Sequence, residues 1–511
     1  MSVLDQIKIS FLIPTRKRVE QCIFSINKII ELSINKNTYE FLLAFDEDDE
    51  TRNIIIDYLS VNGINHKYIV TPRYGYHSLH NYYNELYKIS RGKYLWGWND
   101  DAFILTKGWD DILINNINPN RIYDVYIFKS NDIYNKIAPL INKELVNYFG
   151  YISLNTHYDS WIDQLIQGII PYYLIDQIEI FHNDKVNNVM NIDYSEVLNS
   201  NSISSPEFST PRVQTLINND NEKLKWLVSY NEKKEKNVFI KLMNVAGVGY
   251  YIKHENTGLG NILFQVASGM SYAIKHNANL NIIDLNNYEN IEEISKPHHI
   301  LRKINFNIDY NNYKKFNNLI ISDSSNEKYI FDYDFYDNMV ISNHFENYKN
   351  FEEIKHLIMY CFSPTQENID YILSKYPFVL DNDICSINIR MGPDYRSIFS
   401  QEEINTFEER YKTCIDHMIN VKSIKTFFVF TNDKQYSKLF ITSLQYKDIN
   451  FVYSDEKDYI DIWIISLIKN NIVSMSTLSW WGSYLNKNSD KYIICCKGNR
   501  DNLHYIDWKV I

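Results

Sequence analysis

Short continuous apolar runs alternate, from the start of the chain, with stretches in which apolar positions recur three and four apart. Residues 7–14, 39–45 and 68–70 read as buried strands, the stretches ending at Ile30 and Leu59 and residues 82–89 as amphipathic helices, and residues 92–98 as a further strand. This alternation predicts a parallel sheet, because two parallel strands need a crossover long enough to hold a helix. Ligands of such sheets sit at the carboxyl ends of the strands. Thr15-Arg16-Lys17-Arg18 and Asp46-Glu47-Asp48-Asp49 are therefore expected to face one crevice.

Near the midpoint the pattern starts again. A β-type run over 250–253 leads into Gly258-Leu259-Gly260-Asn261, followed by a helical run on Leu263, Val266, Ala267, Met270, Ala273 and Ile274. Glycine lets a backbone approach a ligand, and a helix N-terminus offers free N–H groups to phosphate. Strands are expected over 280–284, 383–389 and 426–433, then apolar segments over 461–466 and 471–482. Between the halves, residues 195–212 have the Ser/Asn/Pro content of a loop, residues 216–228 read as a helix, and 231–236 are a charge run typical of a solvated linker. The expected organisation is α/β throughout, with domains over 1–232 and 247–511 joined by a linker over 233–246; no tandem repeat is visible.

Composition narrows the function. The 511 residues suffice for two or three domains, 45% are apolar and 23% charged, and the net charge is −11. That balance argues against nucleic acid, which needs clustered basic surface. The 41 tyrosines match coding bias and would also suit sugar surfaces. Six cysteines without metal spacing read as reduced core residues of a cytosol-like compartment. No signal-like or membrane-spanning run stands out, so a soluble cytoplasmic protein is expected.

The strand over 92–98 delivers Asn99-Asp100-Asp101. A hard divalent cation takes oxygen ligands and neutralises a diphosphate leaving group. In order and spacing, residues 5–115 resemble the GT-A glycosyltransferases of family 2, which carry a helix, a Gly-Lys/Glu-Tyr strand and a short acidic triplet. The resemblance implies a single Rossmann-like sheet, a nucleotide-sugar donor, here taken as UDP-linked, and Mn2+ or Mg2+. It makes Asp101 the metal ligand, with His182 completing the shell, and puts Thr15, Arg16, Asp46, Asp48, Asn99 and Asp100 around the donor. Asn99 stands where Asp is commoner. Asp159 holds the place of the acceptor-side general base, and Asp163 competes for it.

In the second half four elements recur in order: Gly258-Leu259-Gly260-Asn261 with Phe264-Gln265, the strand running into Arg390-Met391-Gly392-Pro393-Asp394-Tyr395, Phe427-Phe428-Val429-Phe430, and Ser479-Trp480-Trp481-Gly482. Together they resemble the family 11 glycosyltransferases, the α-1,2-fucosyltransferase group, over residues 248–509. That resemblance implies a GT-B fold of two Rossmann-like units, no metal, and L-fucose from a GDP donor, with rhamnose as another deoxyhexose to consider. Diphosphate charge would then be met by Arg390 and by Ser476, Thr477 and Ser479, with Gly258, Gly260, Asn261, Asn388, Asp433 and Asp461 also lining the donor site. Asn388 replaces the family histidine, Pro393 is inserted before Asp394, and Ile262 replaces a glutamine. Glu255 and Asp394 are the candidate bases; Trp480 and Trp481 are expected to pack in the core first.

The expected protein is a bifunctional glycosyltransferase acting on a glycan acceptor, with two alternatives: one catalytic half beside a glycan-binding module, or a non-enzymatic lectin-like protein. The sequence leaves the oligomeric state open.

Overall fold

The computed structural model describes residues 8–75, 78–131, 136, 138–154, 158–182, 211–242, 258–283, 299–304, 320–322, 329–496 and 504–511. The chain divides into two compact units, residues 1–231 and 232–511. Both are mixed α/β with parallel-rich sheets.

In the first unit the elements follow the predicted alternation: β1 (Ile9–Pro14), α1 (Val19–Leu32), β2 (Tyr39–Asp46), α2 (Arg52–Val61), β3 (His66–Thr71), α3 (Leu79–Ile89) and β4 (Tyr94–Gly97). After them come β5 (Ala102–Ile104), α4 (Trp109–Asn116), β6 (Val125–Ser130), β7 (Leu140–Asn142), α5 (Lys143–Phe149), α6 (Tyr158–Ile166) and β8 (Tyr172–His182). One sheet holds all eight strands in the order β3-β2-β1-β4-β7-β6-β8-β5. β1 and β2 read as unbroken apolar runs because helices cover both faces of a parallel sheet. Phe11 shows the result, its ring stacked between Phe41 at 5.5 Å and Trp96 at 5.1 Å. β8 is longer than the strand expected over 178–184, and residues 183–184 lie outside the described ones. The helix Pro211–Asn231 begins earlier than expected, with proline at its first position, where the missing N–H costs nothing. Tyr148 secures it to the first unit by donating to the Lys223 carbonyl at 2.7 Å.

The described residues of the second unit form two sheets in which every strand pairing is parallel. One has the order β10-β9-β12-β11, with β9 (Lys236–Lys241), β10 (Ala278–Ile283), β11 (Ile320–Ser322) and β12 (Met339–Ser342). The other runs β15-β14-β13-β16-β17-β18, from β13 (Ile384–Ile389), β14 (Thr426–Thr431), β15 (Asn450–Tyr453), β16 (Asn470–Val473), β17 (Tyr492–Cys495) and β18 (Lys509–Val510).

β9 corrects the sequence reading. Its residues fall in the supposed linker, yet the strand pairs with β10 on one side and β12 on the other, and Val238 and Ile240 are fully buried. Lysines flank a short Val-Phe-Ile run, so the charges masked an inner strand. The strand expected over 250–253 lies outside the described residues, as does most of the loop expected over 195–212.

All six cysteines are buried and free. Among the described residues no helix is long and apolar enough to cross a membrane.

Candidate active sites of the two units

β1, β2 and β4 are parallel, so the residues that follow them meet at one edge of the first sheet. Thr15 Oγ1 donates to Asp100 Oδ2 at 2.7 Å, and Arg18 Nη1 reaches Asp100 Oδ1 at 2.7 Å and Asp101 Oδ2 at 3.0 Å. Arg16 Nη1 lies 3.1 Å from Asp46 Oδ2 and 2.5 Å from Asp48 Oδ1, while its Nη2 donates to Asp48 Oδ2 at 3.1 Å. The Tyr82 hydroxyl donates to Asp46, and burial, with that carboxylate beside it, pushes the phenol up to about 12. The expected crevice between the Arg16 loop and the Asp46 cluster is thus a connected set of ion pairs.

His182 arrives by sheet register. β5 and β8 pair antiparallel with Ala102 opposite His182, which sets the imidazole beside Asp101. His182 Nε2 lies 3.1 Å from Asp101 Oδ1 and 3.2 Å from the Asn99 amide nitrogen. Among the described residues no group of three or more His, Cys, Asp or Glu side chains gathers as a metal cage. Asp101 and His182 still fit a shared cation: neighbouring ligands of an octahedral ion with ~2.1 Å bonds lie about 3.0 Å apart, and such ions keep waters and take substrate phosphates. With its amide turned, Asn99 adds an oxygen.

Electrostatics separate the carboxylates. Burial pushes Asp100 up, with Arg18 pulling against it. At Asp101 burial acts the same way, but His182 and Arg18 outweigh it and hold the carboxyl below its ordinary value. Burial alone would lower Arg18; the two carboxylates overcome that and raise it. Arg18, passed over in the sequence, is the hub of this edge. Its signal was position: it is the N-cap residue of α1, one turn from the strand end.

Gly97 and Tyr158 fix α6 over the same edge. A Cβ on Gly97 would lie 2.3 Å from Tyr158 Cζ, and the Tyr158 hydroxyl donates to the Gly97 carbonyl at 2.7 Å. Asp159 follows at once, half-buried, its Oδ1 accepting from the Ser160 N–H at 2.8 Å. Asp163 is engaged elsewhere, by Lys136 at 2.5 Å and the Tyr172 hydroxyl at 3.0 Å. Gly97→Ala is expected to cost about 1–3 kcal/mol by overpacking, checked by denaturant unfolding.

In the second unit Arg390 stands just past the carboxyl end of β13, its N–H donating to Tyr411 Oη at 3.1 Å and its guanidinium 5.3 Å from the Tyr395 ring centre. Asn388, near the end of the same strand, is buried, and its Oδ1 has no hydrogen-bond partner among the described residues. Asp433 caps the helix Lys434–Ser443, accepting from the Tyr436 N–H at 3.0 Å, and pairs with Arg396 at 2.7 Å. Glu255 and the Asp394 side chain lie outside the described residues, while Pro393 opens the short helix Pro393–Arg396.

The hydroxyls expected at phosphate have protein partners. Ser476 Oγ caps the helix Thr477–Tyr484 by accepting from the Leu478 N–H at 3.3 Å, Ser479 Oγ donates to the Ser476 carbonyl at 2.9 Å, and Thr477 Oγ1 donates to Asn261 Oδ1 at 2.8 Å. Trp481 Nε1 donates to the Gly260 carbonyl at 2.9 Å, and the Phe264 ring packs on Trp480 at 4.6 Å and Trp481 at 5.1 Å. Both tryptophans are fully buried. The glycine turn therefore meets this helix directly. A Cβ on Gly260 would lie 2.5 Å from Thr477 Oγ1 and 2.7 Å from the Thr477 backbone, whereas one on Gly258 meets nothing within 4 Å.

Asp461 is half-buried in the helix Asp458–Leu467, with the Ser454 hydroxyl donating to its Oδ1 at 2.5 Å. Desolvation pushes its carboxyl well above the ordinary value, and the Ser454 bond only partly offsets this. The native state keeps a proton that the unfolded chain releases, so this group's contribution to stability falls as pH rises from about 4 toward the raised native value. Asp461→Asn retains the acceptor for Ser454 and removes the titration. Its Tm advantage over the parent is expected to grow with pH across that range, read by thermal unfolding in a buffer series.

Relatives named as glycosyltransferases support that class of enzyme: the chain is a glycosyltransferase. It is 26% identical over 262 residues to an alpha-1,2-colitosyltransferase of Escherichia coli, a match covering 46% of this chain and 86% of the relative. It is also 32% identical over 87 residues to the O-antigen biosynthesis glycosyltransferase WbnK of Escherichia coli, over 16% of this chain and 28% of that protein. No family model matches the chain. Among solved structures, the mannosyltransferase PcManGT of Pyrobaculum calidifontis, in complex with GDP-Man and Mn2+, shares 13% identity at a TM-score of 0.30, over 35% of this chain and 58% of its own. The fucosyltransferase NodZ from Bradyrhizobium shares 14% at 0.34, over 49% and 92%. Neither structural likeness is close enough to assign a residue or a substrate.

Proposed function

We propose that the chain is a bifunctional glycosyltransferase, with a metal-dependent GT-A enzyme in the first unit and a GT-B deoxyhexosyltransferase in the second. The observation that carries this is the presence of two separate compact units, each with charged side chains at the carboxyl ends of its own parallel strands. The colitosyltransferase match supports it from another side: it spans most of that relative but less than half of this chain, leaving room for a second enzyme.

In the first unit Asp101 and His182, with the Asn99 amide, would hold Mn2+ or Mg2+. When bound, such an ion would neutralise the departing diphosphate of a UDP-sugar or a similar donor. Asp159 would take the proton from the acceptor hydroxyl. In the second unit Arg390 would meet the diphosphate of a GDP-linked donor, and Asn388 offers a buried acceptor to the ligand. Fucose and, by the relative's name, colitose are the donor sugars to test first. Joined sites raise the effective concentration of a shared glycan, which suits consecutive transfers to one acceptor.

Thermal unfolding against UDP- and GDP-sugars, with and without Mn2+, tests the reading. A ligand at 100 times its Kd stabilises by about 2.7 kcal/mol. Two stabilising donor classes are expected, only one of them needing Mn2+. Stabilisation by one class alone would favour a single catalytic half, and by none a lectin-like protein.

A further inference from the structure

We infer that Arg18 is a ligand-binding residue of the first unit, one edge of its guanidinium holding the acidic pair and the other taking the diphosphate of a nucleoside diphosphate. The inference rests on reading that unit as a sugar-nucleotide transferase. Arg18 Nη1 alone spans Asp100 Oδ1 at 2.7 Å and Asp101 Oδ2 at 3.0 Å. Its Nε and Nη2 have no partner among the described residues, and the side chain is 31% exposed. An arginine presents five N–H donors in a planar fork, so one edge can stay on carboxylates while the other meets a phosphate. Arg16, singled out in the sequence, is less free: both of its terminal nitrogens already face Asp46 and Asp48.

Charge gives the arrangement a purpose. Asp100 and Asp101 with Arg18 sum to −1, and a divalent ion on Asp101 and His182 turns this to +1. Without Arg18 the same loaded site would be neutral, a poor match for a diphosphate. Nor do Arg18 and the ion compete for one atom, since Arg18 takes Asp101 Oδ2 and His182 lies beside Oδ1. Two consequences of opposite sign follow for Arg18→Met. Mn2+ alone should bind at least as tightly, because a positive charge has gone from beside the ligands. UDP or GDP in the presence of Mn2+ should bind more weakly, on the order of tenfold or more.

The experiment uses the full chain carrying Arg390→Ala, a variant expected to weaken nucleotide binding at the second unit. Mn2+ binding is read from the free-ion electron paramagnetic resonance signal, and UDP and GDP binding in saturating Mn2+ by calorimetry. Arg18→Lys, a smaller change, is a second variant in case the methionine variant does not fold: a single ammonium cannot span the carboxylates and the phosphate together, so its diphosphate affinity should fall severalfold with Mn2+ binding kept. Parallel loss of Mn2+ and diphosphate binding would make Arg18 a mere strut and overturn the inference, as would unchanged diphosphate affinity. If the Arg390→Ala parent itself binds neither UDP nor GDP with Mn2+, the reading of the first unit fails instead.

Discussion

Asp101→Asn is expected to slow sugar transfer by the first unit roughly 10³-fold, with transfer by the second unit unchanged. The substitution keeps the shape of a side chain that is almost wholly covered and removes its charge. That charge is shared between His182 on one oxygen and Arg18 on the other. A divalent ion held there would supply several kcal/mol of stabilisation to the leaving diphosphate, and each ~1.4 kcal/mol is a factor of ten in rate. The check is kcat at saturating donor and Mn2+, with the second unit's donor as internal control. Equal slowing of both transfers would mean that the variant damages the whole chain.

Gly260→Ala should be strongly damaging in the second unit. Its Cβ would meet Thr477 side chain and backbone and the Leu478 nitrogen at 2.8 Å or less. Backbone cannot rotate away, so the helices Leu259–Lys275 and Thr477–Tyr484 must separate. Such overpacking typically costs about 1–3 kcal/mol. Separation would also break the Thr477–Asn261 and Trp481–Gly260 hydrogen bonds and loosen Phe264 against the tryptophans. Gly258→Ala is the matched control, with open space around the position and an ordinary φ of −62°. It should stay within about 0.5 kcal/mol of the parent. Denaturant unfolding compares the two variants, and only Gly260→Ala should unfold at a markedly lower denaturant concentration.

These glycines mark how far the sequence could be read. Both stand in one turn and look alike as residues, but only the fold reveals which is touched. β1 was legible because a parallel strand covered on both faces is one apolar run closed by Pro14. β9 was not, because its short apolar centre lies between lysines and its burial comes from β10 and β12, both distant in the chain. The family resemblance pointed to Asp101 and His182; their meeting depends on the β5–β8 register, which no local pattern carries. Asp433 could have been read as a helix cap, since Asp before an apolar-periodic run is that signal, whereas nothing marked Thr477 as the hydroxyl that answers Asn261. Arg18 was in view and unchosen, since a basic loop does not say which arginine meets Asp100 and Asp101.

Donor turnover by four full-length proteins tests most directly whether one chain carries two independent transferases: the parent, Asp101→Asn, Arg390→Ala and the double variant. Turnover of UDP- and GDP-sugars would be followed with Mn2+ and with a chelator. Each single variant is expected to abolish one donor's turnover and spare the other, the double variant to lose both, and the chelator to reproduce Asp101→Asn alone. A single donor lost in both single variants, or turnover untouched by Arg390→Ala, would contradict two independent sites.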